Sequence, residues 1–211
     1  MIDFYSAPTP NGYKVAMMLE ETGLDYQAHF VNLFERQQKE DWFLTINPNG
    51  QIPAIIDHDL NELKLFESGA ILIHLAEKTK KFIPFKPVPR AHCIQWLMFQ
   101  MSALGPMQNQ AHYFKQVAPQ KLPLAIDHFH QETERLYDVL EGQLRAQPYL
   151  IGGYSIADMA LWPWIRLHLR VGVSLKKRPH LLDWLKRIEA RPATQRALLV
   201  PKPREWPEYE A

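Results

Sequence analysis

The chain has 211 residues, 46% of them apolar, which is enough core for one large domain or two small ones and too much for wholesale disorder. Lys and Arg total 24 against 23 acids, a formal net charge of +1, and this balance argues against a nucleic-acid binder, which carries a basic face. The single cysteine, Cys93, excludes an intramolecular disulfide and fits a reducing, cytoplasmic compartment. No apolar run reaches membrane-spanning length, and the N-terminus lacks the basic-then-apolar order of a signal peptide. The basic run Lys176-Lys177-Arg178 stands before Pro179 and reads as a solvated turn.

In chain order, Ile2 and Phe4 alternate with Asp3 and Tyr5, which predicts a short strand. Thr9-Pro10 is a helix-start signal, a hydroxyl cap followed by proline at the first helical position, and the helix carrying Val15, Met18 and Leu19 stops at Gly23. Tyr26–Val31 alternates again, and residues 37–45 form a short helix or irregular turn. Asn47-Pro48-Asn49-Gly50 then feeds the apolar run Ile52–Ile56, with Pro53 at its entry. Proline donates no ladder hydrogen bond, so a strand is expected over Ala54–Asp57, with the backbone of Gln51 and Ile52 left outside the sheet and open to an extended peptide. The plainer alternative is a strand that simply begins with proline.

A turn near residues 58–61 and a last strand over Leu63–Phe66 precede a helix over Ala70–Thr79 that is apolar almost all round and so should be buried. One helix between the first two strands implies a parallel pair, and the short turn implies an antiparallel hairpin. The result is a mixed four-stranded sheet over residues 1–81. The proline-rich stretch 82–89 reads as a linker. Beyond it, over 90–211, the period becomes 3.6 and predicts an all-helical domain. Its helices are expected over Arg90–Leu104, ended by Gly105-Pro106, then Leu124–Leu144, Ile156–Leu169 and Pro179–Arg191. Ser155 and Asp158 read as a capping box, worth about 1 kcal/mol. A surface arm is expected from Pro201.

Taken together, Asn49-Gly50-Gln51-Ile52-Pro53-Ala54, Phe66-Glu67-Ser68-Gly69-Ala70-Ile71, the proline-rich linker and Ser155-Ile156-Ala157-Asp158 resemble the glutathione transferase superfamily over nearly the whole chain. Thr9-Pro10-Asn11-Gly12, Leu104-Gly105-Pro106-Met107 and Glu132–Tyr137 are similar to its nu-class, disulfide-bond-reductase-like subgroup and to the related nitrogen-regulator domains. The resemblance implies a glutathione transferase fold, with an α/β thioredoxin-like domain followed by an all-α domain, and a homodimer. It also implies a cis bond before Pro53.

Where thioredoxin-type enzymes carry Cys-x-x-Cys, this chain has Ala7-Pro8-Thr9-Pro10-Asn11, so a thiol must come from a ligand. Glutathione, acting as co-substrate, supplies one, and a helix N-terminus lowers the pKa of a thiol placed there. Thr9 and Asn11 are therefore the expected catalytic residues, as donors to the thiolate; Thr9 also reads as a helix cap, and the resemblance favours the functional role. Tyr5 and Ser6 compete for the role and rank below them.

For glutathione binding the resemblance implies Asn11, Gln38, Gln51, Ile52, Pro53, Glu67, Ser68 and one of His128 or Arg135. Ser68 would meet the α-carboxylate and Glu67 the ammonium of the γ-glutamyl end, and both also suit a helix cap. Relatives carry Lys where Gln51 stands and Arg where His128 stands, and Arg135 is also explained by an exposed helix ion pair. Met107, His112, Tyr113 and Trp164 are expected on the second-substrate side of a cleft.

No metal site is expected, since His128, His130 and Glu132 lie two apart on a helix and face different ways, which reads as solvated histidines. Cys93 reads as a buried thiol rather than a nucleophile. The implied activity is reduction of a disulfide by two glutathione thiols, or otherwise transfer to an electrophile or a peroxidase reaction. The rival is a non-enzymatic glutathione-binding regulatory module. Neither nucleic acid nor membrane is an expected partner.

Overall fold

The structure, a computed structural model, describes residues 1–204. The surface arm expected from Pro201 lies, past Arg204, outside the described residues. The chain divides into two compact units, Met1–Ile83 together with the described residues from Ala190 on, and Pro84–Glu189.

The first unit contains strands β1 (Ile2–Ser6), β2 (Tyr26–Phe30), β3 (Ala54–Asp57) and β4 (Leu63–Phe66) in the order β2-β1-β3-β4. β1 runs parallel to β2 and antiparallel to β3, and β3 is antiparallel to β4, which is the mixed sheet expected. Along β1, Ile2, Phe4 and Ser6 are buried while Asp3 and Tyr5 are less so, the alternation of a sheet with one covered face. Helix α1 (Pro10–Thr22) is buried from Gly12 to Leu19 and packs against α3 (Ser68–Thr79) and α10 (Pro192–Ala197). Short α2 (Asp41–Leu44) closes a second cluster of Val31, Phe43, Ile46 and Ala54, against which Tyr5, Leu33, Ile52 and Ile56 pack.

Helix α10 was not anticipated. It is anchored by charge, with Arg191 forked onto Glu21 (Nη2–Oε2 2.9 Å) and Arg196 bonded to Glu20 (Nε–Oε2 2.6 Å). Helix α3 is buried on one face rather than all round, with Ala70 and Glu77 exposed. At its far end the buried Asp57 accepts from His74 (2.7 Å) and Lys78 (2.8 Å). Burial alone would raise Asp57, but these hydrogen bonds outweigh it and hold the carboxyl below its usual range.

The second unit is helical: α4 (Pro87–Phe99), α5 (Gly105–His112), α6 (Pro123–Leu144), α7 (Ile156–Ile165), α8 (His168–Val171) and α9 (Pro179–Glu189). α4 begins inside the proline-rich stretch, because proline is tolerated in a first turn. Gly105-Pro106 does not end the helix as expected. A π turn over Gln100–Leu104, with Gly105 N–H donating to Gln100 C=O, carries the chain straight into α5. The wider turn relieves the clash between a proline ring and the preceding carbonyls.

α7 stops at Ile165, four residues short of expectation; after it Leu167 leaves helical geometry, and Gly172 (φ 80) caps α8. The basic run is not a solvated turn throughout. Arg178 is only 7% exposed and donates to Asp138 (2.7 Å) and the Ser174 carbonyl (2.9 Å), spending its charge inside the unit.

The capping box forms at the start of α7. Asp158 accepts from the N–H groups of Leu150 (3.1 Å) and Ser155 (3.0 Å), the Ser155 hydroxyl (3.0 Å) and Trp184 Nε1 (2.9 Å). Burial pushes its carboxyl up to about 6 even though these donors stabilise the charge. Asp158 therefore joins the 150 loop, α7 and α9, a larger part than a helix cap. Asp158→Ala leaves several buried donors without an acceptor and should cost about 3 kcal/mol or more, read as a lowered urea midpoint with unchanged slope; a loss near the 1 kcal/mol of an ordinary cap would show that the cap is all it does.

Candidate functional site

The site in the first unit is built on the Asn47–Pro53 turn. Asn47, itself buried, accepts the Asn49 N–H on its side-chain oxygen (2.9 Å) and donates its amide to the Gln51 carbonyl (2.6 Å). Gly50 takes φ 60, and the short 3-10 turn Gln37–Lys39 packs so closely on it that an added Cβ would meet Gln38 O at 2.8 Å. Lys39 Nζ reaches Asn49 O at 3.2 Å from the same side. The chain then enters β3 through a cis Ile52–Pro53 bond, as expected.

Gln51 and Ile52 were both expected to keep free backbone groups. The Gln51 carbonyl is instead held by Asn47, an interaction that short-range polar side chains in turns readily make. Among the described residues the Ile52 N–H and C=O have no hydrogen-bond partner, which leaves them available to an extended ligand.

Two helix starts meet this turn. A polar cavity of about 140 Å³ is lined by Asn11, Asn47, Asn49, Gln51, Ile52, Pro53, Glu67 and Ser68. Against the ~300–1,000 Å³ of enclosed ligand pockets this is an open cradle. Asn11 belongs to the first turn of α1 and Ser68 opens α3; neither helix has an acid within its first turn, and Glu67 stands at the N-cap of α3. Of the glutathione residues expected from the sequence, Asn11, Gln51, Ile52, Pro53, Glu67 and Ser68 converge here. Gln38 sits beside the turn with its buried Oε1 lacking a hydrogen-bond partner among the described residues.

Thr9 is the N-cap of α1, its Oγ1 accepting the Gly12 N–H at 3.2 Å. That uses a lone pair and leaves the hydroxyl proton to donate, so cap and catalytic donor are compatible roles. Gly12 is demanded by a close approach, since a Cβ there would collide with Ala7 O and Ser6 Oγ. Ser6 is wholly buried and points its hydroxyl at Ala7 O, while Tyr5 stacks on His29 at 4.6 Å; both pack within the unit.

Three features were not read from the sequence. Glu67 takes φ 68 and ψ 111, a backbone conformation costly for any residue but glycine, which the surrounding structure must hold at some expense in stability. Lys14 is 1% exposed, with Nζ 3.3 Å from Ser68 Oγ. Burial holds its ammonium well below the usual lysine range, opposed by the nearby Glu67 carboxylate. The signal for Lys14 was present, as a lone charge amid Tyr13, Val15 and Ala16. Arg204 Nη1 donates to Pro8 O at 3.1 Å, beside the Thr9 turn, and no local pattern announces it.

The remaining expected residues lie in the second unit. Arg135 is exposed and forks onto Glu132 (2.8 and 2.6 Å). His128 is exposed, while His130, expected to be solvated, instead reaches the Gly172 carbonyl at 3.2 Å. A cavity of about 290 Å³ is lined by Asn109, Gln110, His112, Tyr113 and Val117. His112 has its Nδ1 buried without a partner among the described residues, and burial, then Arg170, lower its pKa. Met107 and Trp164 do not line that cavity, and the Trp164 carbonyl accepts from Gln108 (2.6 Å). Cys93 is fully buried, which pushes its thiol up.

A cysteine-free turn at a helix start, facing a cis-proline turn, defines a thioredoxin-type ligand cradle. The family model described as glutathione S-transferase, N-terminal domain matches residues 2–77, and that for the C-terminal domain matches residues 102–192, so the chain belongs to the glutathione S-transferase family. Its relatives include the disulfide-bond oxidoreductase YfcG of Escherichia coli (strain K12), 48% identical over 204 residues that span 94% of this chain and 95% of that protein. A glutathione transferase from Burkholderia graminis, solved with two glutathione molecules bound per subunit, has a TM-score of 0.90 and 42% identity, covering 95% of this chain and 88% of its own. One from Pseudomonas putida, solved with one glutathione disulfide per subunit, has a TM-score of 0.90 and 38% identity over 95% of this chain and 91% of its own.

Gly12→Ala forces a methyl against the Ala7 carbonyl and should cost about 1–3 kcal/mol, as overpacking does; a thermal midpoint equal to wild type would show that the turn has slack.

Proposed function

We propose that this chain is a glutathione-dependent disulfide-bond reductase. The observation that carries the reading is the meeting of two helix starts, neither bearing a cysteine or an acid within its first turn, on one polar cradle beside the free Ile52 backbone. Such a site suits an anionic, extended ligand that brings its own sulfur.

Residues 1–81 form the glutathione-binding domain. Ser68 and the α3 N-terminus take the γ-glutamyl carboxylate, Glu67 takes the ammonium, Ile52 pairs its backbone with the cysteinyl residue, and Gln51 and Gln38 reach toward the glycine. The thiolate lies at the α1 N-terminus, where the Thr9 hydroxyl and Asn11 donate to it. This thiolate attacks one sulfur of the substrate disulfide, forming a mixed disulfide and releasing the other half as a thiolate. A second glutathione thiolate then attacks the glutathione sulfur, which yields glutathione disulfide and the second substrate thiol. The protons lost by the two glutathione thiols end on the two product thiols.

Residues 90–211 supply the second-substrate side through Met107, His112, Tyr113 and Trp164, with His128 or Arg135 as a further contact to glutathione. The same site would also serve transfer to an electrophile. We place the protein in the cytoplasm, where reduced glutathione is the available reductant, as a homodimer.

The test is reduction of a small disulfide by glutathione, alongside conjugation to an aromatic halide. One hydrogen bond to a charged group is worth about 1.5–3 kcal/mol, so Thr9→Ala and Asn11→Ala should each lower kcat/KM roughly 10- to 100-fold. Cys93→Ala should retain wild-type reductase activity; its loss would mean that the ligand is not the only source of sulfur. Tight glutathione binding with no turnover in either assay would leave the regulatory module as the better reading.

A further inference from the structure

The turn that joins β3 to β4 holds two successive non-glycine residues in left-handed backbone, Asn61 (φ 54) and Glu62 (φ 59). Asparagine tolerates that conformation, but glutamate resists it, so the turn keeps its shape only while other contacts hold it. β4 is an outer strand of the sheet and pairs with β3 alone.

His58, the first residue of the turn, makes the contact that holds Glu62. Its Nδ1 lies 2.7 Å from Glu62 Oε1, and its Nε2 lies 2.8 Å from Asp3 Oδ2 on β1. A neutral imidazole carries one N–H and donates to only one of these carboxylates, while its other nitrogen turns a lone pair toward an acceptor oxygen. An imidazolium donates to both. With its second proton the ring ties the hairpin turn to β1, and without it the ring must give up one end.

The charges nearby are otherwise engaged. The second Asp3 oxygen accepts from His29 of β2 (2.8 Å), whose ring stacks on Tyr5. The Met1 ammonium and Lys78 of α3 both sit on Asp59 (2.9 and 2.7 Å), and Lys78 and His74 share Asp57. Glu62 has His58 as its only hydrogen-bond or ion-pair partner among the described residues. The hydrogen bonds to Glu62, and then to Asp3, raise the His58 pKa above that of an ordinary histidine.

We propose that His58 is a proton-operated latch: charged, it fastens the β3–β4 turn to β1, and neutral, it lets the turn loosen. The latch does not depend on the glutathione reading, although the same hairpin carries Pro53 and Glu67 of the cradle at its open end, where Ala54 pairs with Phe66. His58 holds its proton more tightly in the closed turn than in an opened one. The latch is therefore complete below the ~6.5 of a free histidine and is lost as pH rises from there through the closed-state midpoint. Within that window, opening of the turn becomes easier by up to about tenfold per pH unit.

The histidine Cε1–Hε1 NMR signals of the full-length protein, followed from about pH 5.5 to 8.5, test this directly. The His58 signal, assigned through its backbone, should titrate above ~6.5, and Glu62→Gln, an exposed change that leaves the His29–Asp3 pair in place, should lower its midpoint. A midpoint at or below that of a free histidine, or one that Glu62→Gln does not move, would overturn the latch. Amide exchange, corrected for its intrinsic pH dependence, is the second readout. Protection over residues 55–65 should fall across the window in wild type, by up to about tenfold per pH unit, and much less in Glu62→Gln. An equal fall in both would assign it to Met1, His29 or His74 and overturn the latch, as would protection that does not change with pH in wild type.

Discussion

Helix α1 is buried from Gly12 to Leu19, packed by α3 on one side and α10 on another, and its start is pressed against β1 where Gly12 meets Ser6 and Ala7. That packing sets where the helix begins, and therefore where its free N–H groups point. The Thr9 cap, Asn11 in the first turn and Lys14 one turn further on all take their positions from it. α10, the last helix among the described residues, is held to α1 by two arginine–glutamate pairs. The first unit is thus completed by residues nearly two hundred positions from the turn they support.

Opposite α1, the Asn47–Pro53 turn is shaped by polar contacts as well as by Ile52 packing on the Val31–Phe43–Ile46–Ala54 cluster. Asn47 folds the turn on itself and holds the Gln51 carbonyl, so that the next peptide group, at Ile52, is the one left to a ligand. Glu67 is kept in an unfavourable backbone conformation at the edge of the same cavity. The site concentrates what folding disfavours: a strained backbone at Glu67, a buried amine and a backbone segment without a ladder partner.

Much of this was legible in the residues. The strand alternation of β1, the Thr9-Pro10 helix start and the Gly23 stop are local signals, and the structure follows them closely. The expected cradle residues Asn11, Gln51, Ile52, Pro53, Glu67 and Ser68 do line one cavity. What failed had tertiary causes. Gly105-Pro106 carries a strong breaker signal, yet a π turn absorbs it. Arg178 looks like part of an exposed basic run, but Asp138 and the Ser174 carbonyl draw it inward. Asp158 reads as a local cap, while its acceptor oxygens also serve Leu150 and Trp184.

Sequence alone determined the two-part architecture, the absence of a cysteine from the thioredoxin-type turn, and the residue types available to bind glutathione. These are matters of composition, periodicity and short motifs, which local physics reads directly. Only the tertiary structure decided that Lys14 touches Ser68, that Asn47 occupies the Gln51 carbonyl, and that Arg204 returns to Pro8. Each is a contact between side chains or backbone groups whose meeting depends on how the elements pack, and in the Lys14 and Arg204 cases the partners are far apart in sequence. No periodicity encodes such distances.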